Sequence, residues 1–192
     1  TVAEMVPHEF WTYATQQVKE RYPEMIFIGE VYDPNQYRMY VESGFDYLYD
    51  KVGMYDCIRG VICGERSASS ITHEWQKVDD IRDHMLYFLE NHDEQRIASD
   101  FFVGNPWKGV PGMIVSALLQ QNPVMVYAGQ EFGERGMDKE GFSGQDGRST
   151  IFDYWTSDTV YKGFFNRDAL TTDEKKLSLI YLSLIHISEP TR

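Results

Sequence analysis

Apolar positions along this chain follow two rhythms. Phe10, Ala14, Val18 and Tyr22 recur every fourth residue, which predicts a helix from Pro7 to Tyr22 that Pro23 stops. Pro7 suits the first turn of such a helix. Directly after it, Met25-Ile26-Phe27-Ile28 is an unbroken apolar run bounded by Pro23 and by Gly29-Glu30. The run is too short for a helix and shows no polar alternation. It therefore predicts a strand buried on both faces, as in a parallel sheet. The same pattern returns at Phe45 to Tyr49, ending in Asp50, and at Met85-Leu86-Tyr87-Phe88-Leu89, ending in Glu90-Asn91-His92-Asp93. It returns once more at Val124-Met125-Val126-Tyr127-Ala128, ending in Gly129-Gln130-Glu131. Between these runs, Ile71, Trp75 and Val78 predict a helix capped by Ser69 or Ser70, and Pro111 to Gln121 predicts another.

Strands beginning near Met25, Phe45, Met85 and Val124 thus alternate with helices, which places the chain in the α/β class with βαβ units and a parallel sheet. Each run carries an acidic residue at its C-terminal end: Glu30, Asp50, Asp93 and Glu131. In α/β folds that edge is where ligands bind, and in (β/α)8 barrels it is where catalysis sits. Strand ends are also simply solvated and tolerate charge, and for Asp50 and Glu131 the two readings stand level. Gly136, Gly141, Gly144 and Gly147 interrupt any periodicity, so a loop follows the last strand.

Composition narrows the function. Of 192 residues, 18 are Lys or Arg and 30 are Asp or Glu, for a formal net charge of −12, which disfavours nucleic acid and anionic lipid as partners. An apolar fraction of 42% and a charged fraction of 25% are those of a globular chain. Aromatic residues reach 15%, enough to supply platforms for flat ligands such as sugar rings as well as core. Cys57 and Cys63 cannot form a disulfide framework or a zinc motif. No apolar run approaches the ~20 residues of a membrane span. The chain opens Thr1-Val2-Ala3-Glu4 without an initiator Met, so the lack of a leader carries no information and localisation stays open.

Two carboxyl groups stand out. Glu30 ends a wholly apolar strand after a glycine, where partial desolvation is expected to favour its protonated form, as a general acid requires. Asp93 ends another strand beside His92 and Asn91, whose donors are expected to keep it ionised. Carboxyl groups in such contrasting surroundings suit acid/base work on a glycosidic bond. A metal site at Glu90, His92 and Asp93 is the alternative. On a strand, however, residues 90 and 92 share a face and 93 opposes them, so the set is short of ligands. His8, His73 and His84 read as surface residues. Dinucleotide, P-loop and Gly-x-Ser-x-Gly patterns are absent.

These segments resemble the α-amylase family of glycoside hydrolases. Phe27-Ile28-Gly29-Glu30-Val31-Tyr32 is similar to the stretch around that family's acid/base glutamate. Phe88-Leu89-Glu90-Asn91-His92-Asp93 is similar to its Asn-His-Asp motif, in which the aspartate stabilises the transition state and the histidine contacts sugar. Tyr127-Ala128-Gly129-Gln130-Glu131 resembles the eighth-strand segment, and Arg148 to Trp155 resembles the loop that follows it. The resemblance implies the C-terminal half of a (β/α)8 TIM barrel, strands five to eight, over residues 1–176. It implies Glu30 and Asp93 as catalytic residues. It also implies His92 and Asn91 as sugar contacts, with Tyr32 and Tyr127 lining the sugar site or packing as core. The substrate implied is an α-glucan or maltooligosaccharide.

The resemblance also defines what is missing. The family's nucleophilic aspartate falls at, or immediately before, Thr1, and threonine cannot replace it, so the fragment by itself is expected to be inactive. The family's calcium site depends largely on an inserted domain absent here. No metal or cofactor is therefore assigned to these residues, and calcium is left to a full-length parent. A transglycosylase or isomerase of the same family, and a non-catalytic accessory member, remain as alternatives. Leu182 to Arg192 resembles the in-frame translation of a transposon-end adapter from sequencing libraries, and Leu177 to Tyr181 nearly repeats its start. Residues 177–192 are accordingly read as a non-native tail, most clearly over 182–192. The same residues also suit an amphipathic helix ending at Pro190.

Overall fold

The computed structural model describes residues 2–138, 146–149 and 157–188. Gly141, Gly144 and most of the Arg148–Trp155 segment lie outside these residues. Four strands, β1 (Ile28–Gly29), β2 (Tyr47–Tyr49), β3 (Met85–Phe88) and β4 (Val124–Met125), form one sheet in chain order. All neighbours are parallel, with Gly29 opposite Leu48, Leu48 opposite Met85, and Phe88 opposite Met125. Parallel neighbours need crossover connections. Here these contain α2 (Tyr37–Glu42), then α3 (Asp56–Ile62) with α4 (Ser69–Lys77), then α5 (Val110–Leu118). Helix α1 (His8–Arg21) precedes the sheet, and α6 (Asp158–Phe165) and α7 (Thr172–Ser188) follow it.

Local chemistry sets the helix ends. Pro7 precedes α1, and Pro111 lies in the first turn of α5. Helix α4 takes its side-chain bond from Ser67, whose Oγ accepts from Ser69 N at 3.3 Å, and not from Ser69 or Ser70 as expected. Helix α7 opens with a capping box: Thr171 Oγ1 accepts from Glu174 N at 3.2 Å and Glu174 Oε2 accepts from Thr171 N at 2.6 Å. Its buried residues Leu177, Tyr181 and Leu184 share one face, and the helix runs on through residues 182–188.

Side chains alternate across the sheet. Leu48, Met85, Tyr87 and Leu89 belong to the large core with Tyr37, Ile58 and Met113 from the helices. Leu86 and Phe88 face the other way and pack with Tyr47, Tyr49, Met125 and Tyr55. The Tyr55 ring stacks on Phe88 at 5.0 Å between centroids, and Tyr49 lies 5.2 Å from it. Truncating Phe88 to alanine would cost about 3–5 kcal/mol at such a site.

Strand β3 is buried along its whole length, as its apolar run predicts. The first run departs from expectation: Met25, Ile26 and Ile28 are 46%, 59% and 51% exposed. Strand β4 is likewise only half-buried. Among the described residues β1 and β4 each have a full strand neighbour on one side only, which leaves their apolar side chains open.

Candidate active site

Glu30 directly follows β1 and is 8% exposed. Its position is fixed from both sides. A Cβ on Gly29 would come within 2.8 Å of the Phe45 ring and 3.0 Å of Leu48, so glycine is needed for β1 to lie this close to its neighbours. Val2 bridges to Glu30 in parallel, and Glu30 O accepts from Ala3 N at 2.7 Å. The carboxylate of Glu4 then accepts from Tyr32 N and Asp33 N, both at 3.0 Å. Residues 2–4 thus hold the chain immediately after β1, a role that nothing in the residue pattern suggests for Glu4.

Beyond β3 the chain turns sharply. Asn91 Oδ1 accepts from Asp93 N at 2.9 Å and from Glu94 N at 2.8 Å, the self-capped turn that short amide side chains favour. The strand alternation used to place residues 90, 92 and 93 therefore ends before it reaches them. Glu90 points away and pairs with Arg96 at 2.8 Å, so the alternative metal set of Glu90, His92 and Asp93 does not assemble. His92 and Asp93 instead come together, with Nε2 and Oδ2 3.4 Å apart. Glu30, His92 and Asp93 each place one donor atom within 4.8 Å of the others.

This arrangement brings a buried carboxyl from β1 against an imidazole and an exposed carboxyl from the loop after β3. Tyr32 borders it. Burial, then the charges of Glu30, Asp93 and Glu94, push the Tyr32 phenol up to about 12, so its hydroxyl stays a neutral donor near neutral pH. Such a site can hold and release a proton at one carboxyl while presenting negative charge and hydrogen-bonding groups nearby.

The remaining candidates are placed differently. Asn91 is 2% exposed, and its Oδ1 serves the loop's own amides, so it shapes the loop and offers little surface to a ligand. Tyr127 is half-buried, donates to Ser149 O at 3.1 Å, and has the Arg96 guanidinium 4.1 Å from its ring centroid. Asp50 is 1% exposed and accepts from Tyr37 Oη at 3.3 Å; burial raises its pKa to about 6. Glu131 accepts from Gly129 N at 3.0 Å and lines an apolar recess of about 420 Å³ with Phe132, Tyr181 and Leu182. Neither joins Glu30. Burial also raises the Glu131 carboxyl. Lys51 and Glu94, 3.3 Å apart at the ends of β2 and β3, were not foreseen from sequence, where each reads as an ordinary surface charge.

Parallel strands joined through helices, with ionisable groups gathered beyond their C-terminal ends, are the hallmark of (β/α)8 barrel enzymes. The family model "Alpha amylase, catalytic domain" matches residues 4–176, and the chain belongs to that family of glycoside hydrolases. The four-stranded sheet is accordingly part of a (β/α)8 barrel. No curated protein sequence matches the chain. Among solved structures it is similar to a cyclomaltodextrinase, with 18% identity and a TM-score of 0.63, covering 99% of this chain and 30% of that one. It is similar also to an α-amylase from Lactobacillus plantarum, with 20% identity and a TM-score of 0.59, covering 98% and 44%. An α-amylase from H. orenii gives 18% identity and a TM-score of 0.66, covering 94% and 39%. The chain therefore spans 30–44% of the length of these three structures. Among the described residues, no helix is long and apolar enough to cross a membrane.

Proposed function

We propose that this chain carries the acid/base half of a retaining α-glucan hydrolase active site. The observation that supports the reading is the meeting of Glu30, His92 and Asp93 from two different strand ends within 4.8 Å. Glu30 protonates the departing glycosidic oxygen and then deprotonates the water that cleaves the glycosyl-enzyme. Asp93 grips sugar hydroxyls and favours the positively charged transition state, with His92 and Tyr32 donating alongside. The substrate is starch or a maltooligosaccharide. The nucleophile slot falls at, or immediately before, Thr1, and residues 1–192 alone are expected not to hydrolyse starch.

The test uses the full-length protein. Glu30→Gln keeps the side chain's shape and removes its proton. It is expected to lower kcat/KM on maltooligosaccharides by about 10²–10⁴-fold. A glycosyl fluoride, whose leaving group needs little protonation, is expected to suffer far less in the glycosylation step. Asp93→Asn is expected to slow both substrates together, because charge stabilisation does not depend on the leaving group. Equal losses on both substrates in Glu30→Gln would show that Glu30 is not the acid.

A further inference from the structure

One carboxylate closes the base of the loop that bears His92 and Asp93. Glu90 and Arg96 are each 2% exposed. Glu90 Oε2 accepts from Arg96 Nη1 at 2.8 Å, and Glu90 Oε1 accepts from Ile97 N at 2.7 Å. Residues 91–95 hang between these anchors, with Asn91 setting the turn. The other donors of Arg96 leave the loop. Nε donates to Ser149 Oγ at 2.7 Å, Nη2 donates to Ala128 O at 2.9 Å, and the main-chain N donates to Gly147 O at 2.7 Å. Gly147 has φ +74° and no room for a Cβ, which would fall 2.5 Å from Ser99. One residue therefore ties together the loop after β3, the end of the β4 run, and the segment 147–149. Arg148 of that segment pairs with Asp146, its Nε donating to Asp146 Oδ2 at 2.8 Å.

A buried ion pair is a weak device for stability, because desolvation offsets most of its attraction and an apolar pair of similar volume often does as well. What an apolar pair cannot supply is direction. The guanidinium holds its donors in one rigid plane, and here three nitrogens engage three different partners. We propose that Arg96 is a positioning residue: through Glu90 it fixes the loop presenting His92 and Asp93, and through Ser149 and Gly147 it ties segment 147–149 to that loop. The inference rests on the reading of Asp93 as the transition-state carboxylate.

The experiment compares wild type with Arg96→Lys in the full-length protein. Lysine keeps the charge but cannot span three partners. Amide hydrogen exchange is followed at Asp93, Glu94 and Ile97, with Leu86 and Phe88 in β3 as internal references. Protection is expected to fall at least about 10-fold in the loop while β3 keeps its own. In parallel, kcat on a maltooligosaccharide and on a glycosyl fluoride is expected to fall together by about 10–100-fold with KM little changed, the order that a misplacement near 1 Å produces. A uniform fall in protection across loop and strand, with kcat per folded molecule unchanged, would overturn the proposal and make Arg96 a stability residue. If Arg96→Lys does not fold, Ser149→Ala cuts one tether and leaves the buried pair intact. Faster exchange at Gly147 and Arg148 with a several-fold lower kcat is then expected, and no change in either refutes the role. Exchange needs no turnover, so a wild type inactive on both substrates sinks the functional reading while the exchange result still decides this one.

Discussion

Lys51 Nζ stands 3.3 Å from Glu94 Oε1, joining the turn after β2 to the residue that follows Asp93. Lys51 opens a π-helical turn, Lys51–Tyr55, and such turns often sit at functional sites. The other oxygen of Glu94 accepts from Tyr55 Oη at 3.0 Å, and Arg59 donates to that same hydroxyl at 3.1 Å. The ion pair is partly shielded, with side chains 24% and 17% exposed. A double-mutant cycle of Lys51→Met and Glu94→Gln in urea unfolding is expected to give a coupling of about 1 kcal/mol, the upper end for partly exposed pairs. A coupling indistinguishable from zero would mean that the two strand ends are held by Tyr55 alone.

Gly29→Ala tests how tightly Glu30 is held. The added methyl would meet Phe45 and Leu48 at 2.8–3.0 Å, contacts that real Cβ atoms do not make. Overpacking of this kind costs about 1–3 kcal/mol, and relief by a shift of β1 rather than of Phe45 and Leu48 would displace the neighbouring Glu30. The expected result is a lower denaturation midpoint together with a kcat loss larger than the unfolded fraction explains. An unchanged kcat per folded molecule would show that Glu30 tolerates the shift.

Asp50 predicts a pH dependence of stability. Its folded-state pKa is raised by burial from 3.8 to about 6, so the folded protein binds this proton more tightly than the unfolded chain does. Its contribution is therefore most favourable at low pH and is lost as pH rises from about 4 through about 6, by an amount on the order of 3 kcal/mol. Oδ1 accepts from Tyr37, while Oδ2 is buried without a hydrogen-bond partner. Asp50→Asn keeps the acceptor and stays neutral. Its stability relative to wild type, measured by urea unfolding across this range, is expected to rise with pH and level off above about pH 7. A flat difference would rule out Asp50 as the titrating group.

The fold was legible where sequence pattern and burial share one cause. The run Met85–Leu89 lies in the middle of the sheet and reads as what it is. The runs at Met25 and Val124 have the same local pattern and are the outer two of the four strands described, which form part of a barrel, so their exposure does not contradict the pattern. The site was legible to the extent that strand ends gather acidic groups, which brought out Glu30 and Asp93. It was misread where one side chain ended the strand early. Asn91 captures two amides and turns His92 and Asp93 to the same side, a local hydrogen-bonding choice that alternation cannot foresee. Arg96 and Glu4 were invisible because their partners lie on other segments of the chain.

Helix α7 tests the proposed non-native tail. Leu184 is its last buried residue, and Ile185 and Ile187 are 48% and 61% exposed. Truncation after Leu184 is expected to move Tm by less than about 2 °C, corresponding to less than about 1 kcal/mol in a chain of this size. Resequencing the source locus from a ligation-based library is expected to replace the codons for 182–192. Recovery of the same codons there would make the tail native.

The bond from Ala3 N to Glu30 O has a mechanical consequence. Glu30 is gripped through its own carbonyl by Ala3 N, and the next turn is gripped by the Glu4 carboxylate through Tyr32 N and Asp33 N. The main chain at Glu30 therefore moves with the register of residues 2–4. A sliding or twisting of that segment is delivered to Glu30 through the Ala3 N to Glu30 O bond and the Glu4 carboxylate. The seam between β1 and its N-terminal neighbour thus acts as a lever whose short arm ends at a candidate catalytic group.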